Sequence, residues 1–200
     1  MAFDVEGIAA MQVDATVRWH NEPIDNPYFG HLTLACEQHR FNYELWHQED
    51  AARDEHASDA TIAQVKRNID RLNQRRNDWI EKLDDHLTEA LDAVGVSHRA
   101  DVPQNSETPG SIVDRMSIMT LRIYHLQEQL DRTDVDALHV EKVSRRLAVC
   151  QLQRSDLQKC LTELLDDVGA GRKRHRTYRQ FKMYNDPAMN PYLYAARRAA

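Results

Sequence analysis

Apolar residues along this chain recur at intervals of three and four, the spacing that gathers them on one face of an α-helix. The pattern is densest around Asn105 to His125. Ile112, Met116, Met119, Ile123, Leu126 and Leu130 form one stripe, and Val113, Ile118, Leu121 and Tyr124 widen it to most of the circumference. A helix so broadly apolar must be covered on several sides, which predicts a central position. Its start is marked by Thr108 before Pro109, because Thr accepts from the free N–H groups of a first turn and Pro has no N–H to waste there. Asp114 lies on one line with Ile118, Leu121 and His125, so this helix carries a carboxylate where burial without a partner is expensive.

The same spacing predicts four further helices. A short one over residues 5–20 carries Ile8, Met11, Ala15 and Trp19 on one face. Two prolines and a glycine make Asn21 to Gly30 a loop, with Tyr28 and Phe29 as expected anchors. A helix from His31 to about Glu55 threads Cys36, His39, Tyr43, Trp46, His47 and Asp50 through one broad face. Ser58 or Asp59 caps the next, which runs to about Ala93 with the stripe Ile62, Val65, Ile69, Leu72, Arg76, Ile80, Leu83, Leu87 and Leu91. After the central helix, Thr133 is expected to cap a helix from Asp134 to about Val168, ended by Gly169 and Gly171. Its stripe includes Val143, Leu147, Arg154, Leu157, Leu161 and Leu164. Arg76 and Arg154 therefore stand where hydrocarbon belongs.

Composition narrows the class. Charged residues make up 29% of the chain and mean hydropathy is −0.70, with six Gly and six Pro; this suits long amphipathic helices better than sheet or disorder. The prediction is an all-α elongated bundle: an N-terminal helix and loop over 1–30, a bundle of about four long helices over 31–171, and a docked basic and aromatic tail over 172–200. Helices near 35 residues, roughly 50 Å at 1.5 Å per residue, point to a homodimer. No apolar run approaches the roughly 18 residues of a membrane span, and a secretory signal is not evident. Cys36, Cys150 and Cys160 are too scattered for a disulfide framework, so a cytoplasmic, reduced protein is expected.

Residues 172–200 hold eight of the 26 basic residues and one of the 32 acidic ones. An acidic body argues against a broad nucleic-acid face. Arg172, Lys173, Arg174, Arg176, Arg179 and Lys182 are interleaved with Tyr178 and Phe181, but such a run more often serves a helix end or an acidic neighbour. Phe181, Met183, Tyr184, Tyr192 and Tyr194 are expected to dock on the bundle or on a partner subunit.

Three stretches carry a resemblance: LWHQED at Leu45 to Asp50, NSETPGSIVDR at Asn105 to Arg115, and YRQFKMYNDP at Tyr178 to Pro187. Together they resemble an uncharacterised family of bacterial all-helical proteins, a domain of unknown function, over about residues 26 to 194. The resemblance implies the all-α fold and leaves activity open.

Chemistry is expected where polar groups interrupt apolar faces. Arg76, Arg115 and Arg154, with Asn42 and the turn residues Asn105, Ser106 and Thr108, form a candidate set for a phosphate or other anion. Guanidinium forks and a helix N-terminus both favour negative charge. His39 and His47, with Asp114, are the candidate acid and base. Glu44 and His47 form one Glu-x-x-His pair, but ferritin-like dimetal sites need two. Glu49 and Asp50 with Glu81 and Asp84 are candidate Mg²⁺ ligands, as in all-α nucleotide pyrophosphohydrolases, although the Glu-x-x-Glu signature of those enzymes is absent. The leading expectation is a cleft that binds a small anionic or phosphorylated metabolite, with hydrolytic or transfer chemistry as an extension. The competing one is a scaffold dimer whose buried polar groups pair with each other and specify packing.

Overall fold

Four of the five helices begin where a side chain accepts from the free N–H groups of the first turn. Asp4 takes the Gly7 N–H before α1 (Val5–Trp19), Ser58 takes Thr61 before α3 (Asp59–Ala93), Thr108 takes Ser111 before α4 (Pro109–Leu130), and Asp136 takes His139 before α5 (Ala137–Gly169). The exception, α2 (His31–Ala51), starts at Gly30 with φ +60°, a conformation that residues with a Cβ rarely adopt. The computed structural model describes residues 3–96, 100–183, 186–192 and 195, and these five helices, without a strand, are its elements. The protein is all-α.

Two boundaries differ from expectation, each because a carboxylate found another task. Helix α2 stops at Ala51 rather than near Glu55, since Asp54 turns back to accept from the His56 N–H at 2.9 Å. Helix α5 begins at Ala137, not Asp134: Asp134 pairs with Arg132 at 2.8 Å and leaves capping to Asp136. Helix α3 closes with Gly95 at φ +72°, whose N–H reaches Asp92 O while the Val96 N–H reaches Leu91 O, a paired C-terminal motif.

Helix α4 packs against all four other helices, as its broad apolar surface requires. Paired residues give the directions. Gln48 meets Asn68 across α2 and α3, and Arg76 meets Asp114 while Asp84 meets Gly110 across α3 and α4, so α3 and α4 run antiparallel. Thr16 against His39, and Gln12 against Val113, lay α1 along α2 and α4. The main core joins Ile8, Met11, Leu83, Val113, Met116 and Leu161, while Phe41, Leu45, Val65, Ile69 and Leu72 seal the α2–α3 hairpin separately. Gly110 is needed where α4 touches α3, because a Cβ there would lie 2.6 Å from the Ile80 carbonyl oxygen.

The first part of the tail lies on α3. Arg174 N–H bonds Pro103 O, His175 bonds Asp84 O at 2.9 Å, Thr177 bonds Asp85, and Arg179 pairs with Glu81 and Asp85. Arg172 and Lys173 pair with Asp167. The basic run thus spends much of its charge on carboxylates of its own bundle. Beyond it Phe181, Met183 and Tyr192 do not dock on the chain's own bundle and are exposed, as is Phe29 in the first loop, while Tyr28 packs on the core. Tyr184 and Tyr194 lie outside the described residues.

Candidate functional site

The polar residues expected on apolar faces meet in one chain of hydrogen bonds through the core. Asp114, buried on α4, accepts from Arg76 Nε at 2.6 Å and from Arg76 Nη2, from Gln38 at 2.6 Å and from Asn42 at 2.9 Å. Asn42 also donates to Ser117 Oγ at 2.9 Å, and Ser117 meets His39 Nδ1 at 2.7 Å. His39 Nε2 meets Thr16 Oγ1 at 2.9 Å, and Thr16 donates to Gln12 O at 2.7 Å. That last bond fixes the others. Thr16 has used its proton, so His39 carries its hydrogen on Nε2 and accepts from Ser117 at Nδ1. Full burial and the nearby Arg154 charge push the His39 pKa down to about 3, so the ring stays neutral. The Asp114 carboxylate beside it raises the pKa of Arg76.

This network bears on the expected catalytic set. His39 has both ring nitrogens bonded and no exposed surface, and Asp114 is saturated by donors. His47 is exposed and turns its ring toward Tyr43, His20 and His125, with centroids at 4.6, 5.4 and 6.1 Å. Burial, with the His20 and His125 charges, lowers its pKa. His39 and Asp114 are thus enclosed by their own partners and line neither of the two cavities beside them.

The open space lies beside them. Two adjacent cavities of about 450 and 680 Å³ lie among α2, α3, α4 and α5 and share Trp46, Asp50 and Arg122 in their linings. Arg76 and Asn42 face the smaller; His125, Arg145, Arg146 and Val149 face the larger. Trp46 and His125 stack with centroids 4.7 Å apart and 9° between planes, forming a flat wall. Arg53 pairs with Glu49 and Arg145 with Glu141, but Arg122 and Arg146 have no ion pair among the described residues. Of this lining, only Arg76, Asn42, Glu49 and Asp50 belong to the expected site. Arg122, Arg145 and Arg146 were hidden because arginines on helix surfaces are common; the one signal was that Arg122 continues the Asp114–Ile118 line.

Other expected groups are not brought together. Arg154 lies on a different face, among α1, α4 and α5, so Arg76 and Arg154 do not converge. Arg115 pairs at the surface with Glu107, 2.6 Å away. At the α4 N-terminus the negative charge is internal: Asp84 accepts from the Gly110 N–H at 2.7 Å and Thr108 from Ser111 at 3.1 Å. The space beside Asn105, Thr108 and His175 is about 10 Å³, room for a water and not a phosphate. Asn105 bonds Glu107 O, and Ser106 is exposed. Burial raises the pKa of Asp84 to about 7 despite the Thr108 and Gly110 bonds.

The four expected Mg²⁺ ligands are also apart. Gln48, next to Glu49 and Asp50, bonds Asn68, and Glu81 and Asp84 stand 13 and 16 residues further along α3, roughly 20–24 Å at the helical rise. Glu81 is engaged by Arg179 and the Gln180 N–H. Among the described residues no group of three or more His, Cys, Asp or Glu is placed to hold a metal ion. No helix among them is long and apolar enough to cross a membrane.

Fold and site together define an all-helical protein with an arginine-lined cleft walled by a tryptophan–histidine stack. The chain belongs to the family described as Protein of unknown function (DUF4254), whose model matches residues 32–177. That match holds α2 to α5 and the docked start of the tail. No curated protein and no solved structure matches the chain.

Proposed function

We propose that the cleft beside Trp46 binds a small anionic, phosphorylated metabolite. The observation that carries this is the pair Arg122 and Arg146, which line the cleft without a carboxylate partner among the described residues, next to an apolar wall of Trp46, Leu126 and Val149. Guanidinium groups match phosphate oxygens, and a cavity of this size falls within the roughly 300–1,000 Å³ of small-molecule sites. The proposal is one of binding, because His39 and Asp114 are occupied by structural bonds. Isothermal titration with AMP, ADP and inorganic pyrophosphate tests it. Saturable binding is expected, weakened roughly tenfold to a hundredfold in Arg122→Ala, as the loss of one charge-assisted bond implies; absence of binding by all three probes sinks the reading.

A second reading is supported by the network from Arg76 to Thr16, in which Arg76, Asp114, Asn42, Ser117, His39 and Thr16 are bonded to one another in sequence: the buried polar residues act as a packing code in a scaffold protein. Under it, Arg122→Ala leaves every titration unchanged, while Asp114→Leu still lowers stability.

A further inference from the structure

Arg154 is the cation that the network does not absorb. It sits half-buried on α5 and reaches between α1 and α4. Its Nε donates to Thr120 Oγ1 at 2.9 Å and its Nη2 to Ala9 O at 2.6 Å, and both acceptors are neutral. Among the described residues no carboxylate pairs with it, in contrast to Arg76, which has Asp114. Its Nη1 takes part in none of the described hydrogen bonds. The loss of solvent lowers its pKa, which records the cost of holding an uncompensated charge there.

Arg154 lines a cavity of about 210 Å³ whose walls are largely hydrocarbon, with Val13 and Val17 from α1 and Ile123 from α4, beside Gln127. Two hydroxyls in it are already committed. Thr16 donates to Gln12 O and accepts from His39, and Thr120 donates to Met116 O and accepts from Arg154. Tyr124 also lines the cavity, and its hydroxyl makes no hydrogen bond among the described residues.

We propose that this cavity is a binding site for a small monocarboxylic acid with a short aliphatic or aromatic body, its carboxylate on Arg154 and its body against Val13, Val17 and Ile123. The chemistry selects this class. A carboxylate supplies the missing counter-charge to the guanidinium fork, and the free Tyr124 hydroxyl offers a second donor. One cation in an apolar cavity suits a single negative charge; a phosphate dianion would face hydrocarbon with half its charge unmatched. The volume is below the roughly 300–1,000 Å³ typical of drug-sized ligands, so a nucleotide does not fit. The site lies on the far side of α4 from Arg122 and is independent of the cleft proposed above.

The test uses the full chain with benzoate and hexanoate as probes and benzamide and 1-hexanol as their neutral counterparts, read by saturation-transfer NMR and by titration. Saturable binding of the two carboxylates is expected, with the neutral counterparts weaker by on the order of tenfold, the loss of one charge-assisted contact. Arg154→Met is expected to abolish the discrimination and Arg154→Lys to keep part of it, while Arg122→Ala leaves it unchanged. Should Arg154→Met fail to fold, Val17→Trp, at a half-exposed rim position, serves in its place by filling the cavity and removing binding. Equal binding of benzoate and benzamide, no saturable binding of either carboxylate, or carboxylate binding that persists in Val17→Trp would overturn the proposal.

Discussion

Asp114 shows how one buried carboxylate organises its neighbours. It accepts from Arg76, Gln38 and Asn42, so replacing it strands three residues, whereas removing Arg76 leaves Asp114 with two donors. Asp114→Leu, which leaves Arg76, Gln38 and Asn42 unmatched, and Arg76→Met, which leaves the buried Asp114 carboxylate without a counter-charge, are therefore each expected to cost roughly 3–5 kcal/mol, the range for breaking a buried charge pair; urea unfolding measures both. Two strongly shifted groups, His39 and Asp84, act in opposite directions between acid and neutral pH. His39, held neutral with a pKa near 3, contributes stability that is complete above its unfolded value of about 6.5 and is lost as pH falls below it. Asp84, raised to about 7, contributes stability at low pH that is lost as pH rises from about 4 toward 7. Between about pH 4.5 and 6.5 the two slopes offset one another. Asp84→Asn keeps an acceptor for the Gly110 N–H and removes one slope, so its stability is expected to climb with pH relative to wild type by about one kcal/mol per unit across that window. Parallel curves for the two proteins would show that Asp84 does not titrate there.

At the scale of elements, the chain announces its helices through caps and stripes, and misleads only where two acceptors compete. Thr133 reads as the cap of a helix starting at Asp134, yet Arg132 captures Asp134 and Asp136 takes the capping role. The contact between α3 and α4 depends on a position no stripe reveals. Gly110→Ala would set a Cβ against the Ile80 carbonyl and the Asp84 carboxylate. The two helices must then part, and a loss of roughly 1–3 kcal/mol is expected, as for other overpacked contacts. Thermal unfolding checks this, and a melting temperature equal to wild type would show that α4 has slack at its N-terminus.

For the whole molecule, charge divides the chain into an acidic body and a basic tail, and the fold brings the two together. Arg172, Lys173 and Arg179 meet Asp167, Glu81 and Asp85, while His175 covers the junction of α3 and α4. Deleting everything after Gly171 is expected to lower the melting temperature by removing that cover, and raised salt should shift the full chain more than the truncated one, since these pairs are screened. Phe181, Met189 and Tyr192 remain exposed beyond the docked stretch, and they support the proposal that the chain pairs with a second copy. Sedimentation velocity is expected to give a dimer that weakens on truncation; a full chain that sediments as a monomer at every concentration rejects it.

Period and capping are local, so the sequence by itself determined the five helices, the start of α4 at Thr108, and the presence of Arg76, Asp114 and Arg154 among apolar positions. Which polar groups meet is a matter of packing direction and register across helices far apart in sequence, and only the tertiary structure decided it. That is why Arg76 found Asp114 while Arg154 faced a separate cavity, why His39 became a sealed neutral link, and why the cleft took its charge from Arg122 and Arg146. Arg146 does not differ in its local sequence from an ordinary solvated helix face, and Arg122 differs only in continuing the Asp114–Ile118 line.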